Sequence, residues 1–303
     1  MVKVVVAGEA GASASVKESQ AWLRIKEAEL VGVADSLSSL REILQGTEVD
    51  IVDIGSITDS ADPWVTLAAQ TGKYILCANG SALGREGISF CDKYEIVLQF
   101  ANTLRFAPEY EQAYEQIKKG AIGKAGIIRL RRGAPASAEN EGKCIFQSLG
   151  MHEFDWLRWT FGEVERVMAR EVKRTNESGQ IVHYALVMLR MASGAIAHVE
   201  LSWAEGAEHA SFELTGDQGM IVHDIRESTP IRWSRGEQFL STAFPGMDLM
   251  QRQREHFIRC VQKQEVPRLH SRDLLAALDI ASAARESVQT GQPVKLMHGG
   301  DEG

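Results

Sequence analysis

Three short stretches of this chain carry residue types that could do chemistry. The loop "AGEAGASAS" follows a run of valines, and Gly8 takes the first position of a G-x-G-x-x-G pattern in it. Such a loop between a strand and a helix turns backbone N–H groups toward an anion at the helix N-terminus. Ala10 and Ser13 stand where the second and third glycines would be, and Gly11 restores freedom beside Ala10. Gly8, Glu9, Ala10, Gly11 and Ala12 are therefore the candidate cradle for a dinucleotide pyrophosphate. Asp35 closes the next apolar run, where a carboxylate accepts hydrogen bonds from ribose hydroxyls and repels a 2′-phosphate, favouring NAD over NADP. The competing reading is that Asp35 only N-caps the helix "SLSSL". In the second stretch, "KYILCANGSAL", a buried strand runs into a turn, but the turn carries Ala78, Asn79 and Gly80 in place of a charged group. The third, "LGMHEFDWLRWTFG", places His152 at a helix start, with Asp155 three residues on along the same face. Imidazole titrates near neutral pH, so His152 is the candidate proton carrier.

Alternating elements must position these groups. "VKVVVAG", "AELVGVAD", "VDIVDIGS", "YILCAN" and "EIVLQFAN" read as buried strands, and the segments between them read as helices. That order predicts right-handed crossovers and a doubly wound parallel sheet over residues 1–121. From residue 122 the pattern changes to long alternating strands, among them "GIIRLRRG", "HYALVMLRM" and "AIAHVELSW", which predict an open, mainly antiparallel sheet. The fold class is thus α/β, with the helix "MHEFDWLRWTFG" interrupting the second sheet early and two helices closing the chain. For an α/β domain followed by an open antiparallel sheet, the ligand is expected in the crevice between the two.

Composition removes several function classes. The chain has 303 residues, 44% hydrophobic and 24% charged, with a net charge of −8. An acidic chain offers no global field for nucleic acid, and the run Arg129, Arg131, Arg132 alternates like a strand edge. Cys77, Cys91, Cys144 and Cys260 form no CxxC pair, as expected of reduced thiols in a cytoplasmic protein. No apolar stretch approaches the roughly 20 residues of a membrane helix, and no leader is expected. His183, His198, His209 and His223 fall on successive strands without HxxxH or HxH spacing, so no metal site is expected. Alternation assigns them to the solvent or oligomer face of the sheet.

"LGMHEFDWLRWTFG", together with "NTLRFAPEYEQAYEQIKKGAIGK", "KYILCANGSAL", "AELVGVAD" and "RDLLAALDIASAARESVQTGQPV", resembles the glucose-fructose oxidoreductase/inositol dehydrogenase (Gfo/Idh/MocA) family in order and spacing. The resemblance implies an N-terminal Rossmann domain, here residues 1–121. It also implies a C-terminal α/β domain for substrate and oligomer contacts, residues 122–303, with homodimers or homotetramers forming through its sheet. It further implies NAD(P)-dependent hydride transfer on a sugar, polyol or sugar derivative. Family members commonly read Glu-Lys-Pro where this chain has Ala78, Asn79 and Gly80. They read Asp-x-Gly-x-His where it has Ser148, Leu149, Gly150, Met151 and His152. A Thr-Pro pair that often lies near the cofactor is replaced by Ser56 and Ile57.

The resemblance therefore gives catalytic positions to His152, Asn79 and Ser148, and cofactor positions to Ser56, Ile57 and Ala78. Substrate candidates are Asn79, His152, Arg105 and Lys143, the last two as cations able to approach a hydroxylated or anionic substrate, with a salt bridge to the helix of residues 108–119 as the equal alternative for Arg105. Asn79 hydrogen-bonds but does not exchange a proton near neutral pH, and Ser148 orients without charge. Loss of a positioned acid/base removes about 10²–10⁴-fold in rate. Two readings compete with a diverged dehydrogenase: a binding or regulatory paralogue, and a lyase- or epimerase-type enzyme with a tightly held cofactor.

Overall fold

The computed structural model describes residues 1–9, 13–55, 57, 60–78, 82–100, 103–137, 140, 142–204, 206–227, 231–235, 238–242 and 248–296. In chain order the elements begin with β1 (Val2–Ala7), α1 (Ser13–Trp22), β2 (Ala28–Ala34), α2 (Leu37–Gly46) and β3 (Ile51–Ile54). Next are α3 (Asp62–Gln70), β4 (Tyr74–Cys77), α4 (Arg85–Lys93), β5 (Leu98–Phe100), α5 (Pro108–Lys118), β6 (Ala125–Ala134) and α6 (Met151–Phe161). The chain goes on with β7 (Val164–Thr175), β8 (Ile181–Met191), β9 (Ile196–Trp203), β10 (His209–Gly216) and β11 (Met220–Asp224). Last come β12 (Ile231–Arg235), β13 (Gln238–Thr242), α7 (Leu249–Val261), α8 (Ser271–Thr290) and β14 (Val294–Lys295). Two compact units result: Met1–Phe106 with Asp248–Ala276, and Ala107–Met247 with Ala277–Gly303.

The first unit holds a five-stranded sheet in the order β2-β1-β3-β4-β5, parallel at every pair. Val4, Val5 and Val6 are fully buried, as a central strand covered on both faces requires. Register aligns Val6, Asp53, Leu76 and Gln99 across four strands, so their side chains share one face. On that face Trp22 of α1 and Phe257 and Ile258 of α7 pack against Val2, Val4, Val6, Ile51 and Leu76. Helix α7 thus completes a core whose strands lie more than 150 residues earlier, and its own apolar positions are what bring it back. The helix that ends near Gly72 stops where that residue takes φ +70, with its N–H on the carbonyl of Ala69.

The second unit carries a nine-stranded sheet in the order β13-β12-β11-β10-β6-β9-β8-β7-β14. All pairs are antiparallel except β6 with β9. Along β8, Ala185, Val187, Leu189 and Met191 are buried while Tyr184, Leu186 and Met188 are exposed, so one face is covered and one is open. The alternation is as expected, but the histidine assignment is not. His183, His209 and His223 are buried. His183 packs edge-on to Trp203 and holds the Glu171 carboxylate at 2.8 Å, and His223 lies against Tyr110 and Phe212. Their strand parity or their neighbours put them inside, which spacing between strands could not reveal. No helix among the described residues is long and apolar enough to cross a membrane.

Candidate functional site

In the first unit, three backbone hydrogen bonds carry the sheet ladder one residue past the strand ends: Gly8 N to Ala34 O at 2.9 Å, Gly55 N to Ala7 O at 2.7 Å and Ala78 N to Ile54 O at 2.8 Å. Gly8, Asp35, Gly55 and Ala78 consequently lie along the carboxyl edge of the sheet, where open α/β sheets take their ligands. Asp35 is exposed there. It does not cap α2. Ser36 does, in a reciprocal capping box with Ser39, and Asp35 Oδ1 only accepts from Ser39 Oγ at 3.1 Å. A solvent-facing carboxylate at the end of β2, released from the cap, has the acceptor chemistry that a ribose diol needs. On that observation the residues present fit the ribose of a dinucleotide. Ile57 is buried, and Glu9 is half-buried. Ala10, Gly11, Ala12, Ser56 and Asn79 lie outside the described residues.

In the second unit, Ser148 and His152 are carried by one continuous helical segment. Residues Phe146–Gly150 form a π-helical turn that runs directly into α6, the kind of wide turn that is frequent at functional sites. Gly150 is demanded by packing: a Cβ there would lie 2.7 Å from Phe154 Cε2, 2.9 Å from its Cζ and 3.1 Å from Leu201 Cδ1. The Ser148 N–H bonds the carbonyl of Cys144 at 2.9 Å. His152 is half-buried by surface area, with its imidazole pKa lowered to about 3 by desolvation and then by the positive charge of Arg132. It stays neutral through the physiological range. Asp155, expected beside it, is fully buried.

A group that sequence reasoning missed lies next to His152. Glu153 is fully buried, and its Oε1 accepts from Arg132 Nε at 2.7 Å and more weakly from the Tyr110 hydroxyl at 3.5 Å. Burial pushes the carboxyl up while Arg132 pulls it down, and the net direction is up. Arg132 faces inward because residues 130 and 132 share a face of β6 opposite to 129 and 131. Arg129 and Arg131 instead pair with Glu213 and Glu200. The period-2 alternation of "IIRLRRG" was the available signal.

Two substrate candidates are placed elsewhere. Arg105 is 2% exposed, donates to the carbonyl of Arg268 and lies 3.5 Å from Asp273 Oδ2. An interior guanidinium tied to backbone and carboxylate anchors its own unit and does not present itself to a small molecule, so the expected substrate contact is corrected to an anchoring one. Lys143 is exposed and borders a cavity of about 290 Å³ with Glu171, Lys173, His183 and Arg285; neither Ser148 nor His152 lines it.

Comparison with known proteins adds an independent line. The profile of the GFO/IDH/MocA C-terminal domain matches residues 110–222. The chain is 27% identical to the myo-inositol 2-dehydrogenase of Thermotoga maritima over 287 residues, covering 88% of this chain and 86% of the relative. It is likewise 27% identical to the D-apiose dehydrogenase of Paraburkholderia graminis over 327 residues, covering 91% and 85%. Among solved structures, the WlbA dehydrogenase from Bordetella pertussis in complex with NADH and UDP-GlcNAcA superposes with a TM-score of 0.80 at 17% identity, over 98% of this chain and 99% of that one.

Proposed function

We propose that the chain is a member of the Gfo/Idh/MocA family and an NAD(P)-dependent oxidoreductase that moves hydride to or from a carbon of a sugar, polyol or sugar derivative, a reading supported by the match of its residues 110–222 and by its similarity to the two dehydrogenases. One observation carries the reading: the exposed Asp35 carboxylate at the carboxyl edge of the parallel sheet, beside Gly8 and freed from capping by Ser36. Its negative charge favours NAD over NADP. The nicotinamide, when bound, supplies the hydride donor or acceptor.

The protein's own residues divide the remaining work. The loop after Gly8 is the segment assigned to the phosphates, the Gly8 N–H itself being held by the Ala34 carbonyl, and Asp35 is assigned to the adenosine ribose. Ser56, Ile57 and Ala78 border the nicotinamide. Asn79 hydrogen-bonds a substrate hydroxyl or carbonyl without taking its proton. His152 starts as a neutral imidazole, because burial and Arg132 disfavour its charged form. It therefore accepts a hydrogen bond from a substrate hydroxyl, with Ser148 orienting it, but its lowered basicity makes it a weak proton acceptor, in keeping with a diverged site. The site is diverged in lacking the lysine and aspartate that the family commonly carries. The apolar open face around Tyr184, Leu186 and Met188 suits a homodimer or homotetramer, since contiguous exposed apolar surface on a sheet marks an interaction site.

The test is a titration with NADH and NADPH followed by reduced-cofactor fluorescence, then a polyol and sugar panel read at the nicotinamide absorbance. The expected result is NADH binding, preferred over NADPH, with turnover on at least one polyhydroxylated compound. Absence of binding by either dinucleotide sinks the reading. Asn79→Lys with Ser148→Asp should raise the rate if those two groups alone limit it.

A further inference from the structure

The first unit buries a polar layer that its stability does not call for. Asp53 of β3, Gln99 of β5, and Gln253 and Arg254 of α7 are each no more than 3% exposed. Asp53 Oδ1, both amide atoms of Gln99, Gln253 Oε1 and Arg254 Nε have no hydrogen-bond partner among the described residues. Each buried polar atom left unpaired costs about 1–3 kcal/mol. A buried ion pair is commonly replaceable by apolar residues at no loss of stability. Something other than core energetics therefore accounts for this layer.

Its connections suggest what. The Arg254 guanidinium contacts the Glu18 carboxylate of α1, lies 3.8 Å from Asp53 Oδ2 of β3, and stacks over the Trp22 ring at 5.5 Å. Trp22 Nε1 donates to the same Asp53 oxygen at 2.5 Å. Just before Arg254 on α7, Gln253 Nε2 donates to the carbonyl of Phe100, the last residue of β5, at 2.7 Å, and Arg252 donates to the carbonyl of Phe106. Asp53 is one residue from the end of β3, after which the Gly55 N–H bonds the Ala7 carbonyl at 2.7 Å and a Cβ on Gly55 would lie 3.6 Å from Glu18 Cγ. One guanidinium from the far end of the chain thus ties together the helix opened by the glycine loop and the strand that delivers residues 55–57.

We propose that Arg254 is a positioning residue for dinucleotide binding: through Glu18 and Asp53 it fixes α1 and the end of β3 in the relation that the phosphates and the nicotinamide require. This rests on the dinucleotide reading given above. It also deepens that reading, because it assigns cofactor affinity to a side chain that does not itself border the cofactor.

The experiment compares wild type with Arg254→Met, Arg254→Lys and Asp53→Asn by NADH fluorescence titration at pH 6, 7 and 8 and by thermal unfolding. Arg254→Met should keep a cooperative transition and weaken NADH binding by about tenfold or more, the equivalent of one misaligned anchoring contact. Arg254→Lys should recover part of that loss. Burial pushes the Asp53 carboxyl up to about 7. The charged groups facing it among the described residues are Glu18 and Arg254, with Trp22, Gln99 and Gln253 as neutral neighbours. Protonation as pH falls through that value removes its attraction for Arg254, so wild-type affinity should drop toward pH 6. Asp53→Asn should flatten that profile, a readout that loss of packing alone would not move. Wild-type binding with Arg254→Met within threefold of it overturns the proposal while leaving the dinucleotide reading intact. Should Arg254→Met not fold, Arg254→Lys and Asp53→Asn that both match wild type at every pH overturn it equally. A wild type that binds neither NADH nor NADPH refutes the underlying reading, and this one with it.

Discussion

Replacing Arg132 by methionine isolates the buried charge next to His152. Glu153 has no exposed surface, one of its oxygens already lacks a partner, and the other depends on Arg132 at 2.7 Å with only a weak second donor in Tyr110 at 3.5 Å. Removing one member of such a pair leaves an uncompensated interior carboxylate, which costs about 3–5 kcal/mol. The loss should depend on pH with a defined sign. Without Arg132, the folded-state pKa of Glu153 rises further above its unfolded value, since desolvation then acts unopposed. The variant's native state holds a proton that its unfolded state releases, so its stability is greatest below the unfolded pKa. It falls as pH rises through the folded value, by up to about 1.4 kcal/mol per pH unit. The double variant Arg132→Met/Glu153→Met removes the stranded charge and should be at least about 1 kcal/mol more stable than the sum of the single losses predicts. Guanidinium unfolding followed by the fluorescence of Trp156, which packs edge-on to Tyr110, reads the cycle. His152 provides a second reporter: its ring pKa, followed by NMR, should rise once the Arg132 charge is gone, while burial, the larger cause, still holds it below the ordinary value. A single variant losing less than about 1 kcal/mol at pH 8, or strictly additive losses, would refute the assignment of this pair as a coupled buried unit.

Three further outcomes are expected. Gly150→Ala should lower the melting temperature by the equivalent of about 1–3 kcal/mol, because its Cβ would meet the Phe154 ring at 2.7–2.9 Å inside a packed helix; a melting temperature equal to wild type would show that the ring yields freely. Asp35→Ser should shift the NADH to NADPH affinity ratio toward NADPH by about tenfold through loss of repulsion, measured as paired Kd values; an unchanged ratio would remove Asp35 from the ribose site. Leu186→Glu, on the open face of β8 where the wild-type residue is 45% exposed, should leave the unit folded and give a smaller particle in light scattering. If the particle mass is the same as wild type, that face is not the subunit interface.

Local sequence was enough for the elements that repeat a simple rule. Strands buried on both faces must be continuously apolar, so β1, β3 and β4 are visible as short runs of Val, Ile and Leu. The Gly8 loop and Asp35 are visible for a related reason, since a ligand edge lies where such runs end. Parity along β6 already separates Arg132 from Arg129 and Arg131. Arg105 reads as a substrate cation or a partner of the next helix because its actual partners, Arg268 and Asp273, come from the other end of the chain. His183, His209 and His223 look solvent-facing until the strands have neighbours.

Fold class and the order of the two sheets are thus legible in the sequence alone, because burial periodicity and glycine placement act over a few residues at a time. Tertiary structure alone decides which charges share an interior: Arg132 with Glu153 and His152, and Arg254 with Asp53 and Glu18. Desolvation and Coulomb attraction depend on distance in space, and no local pattern records that distance.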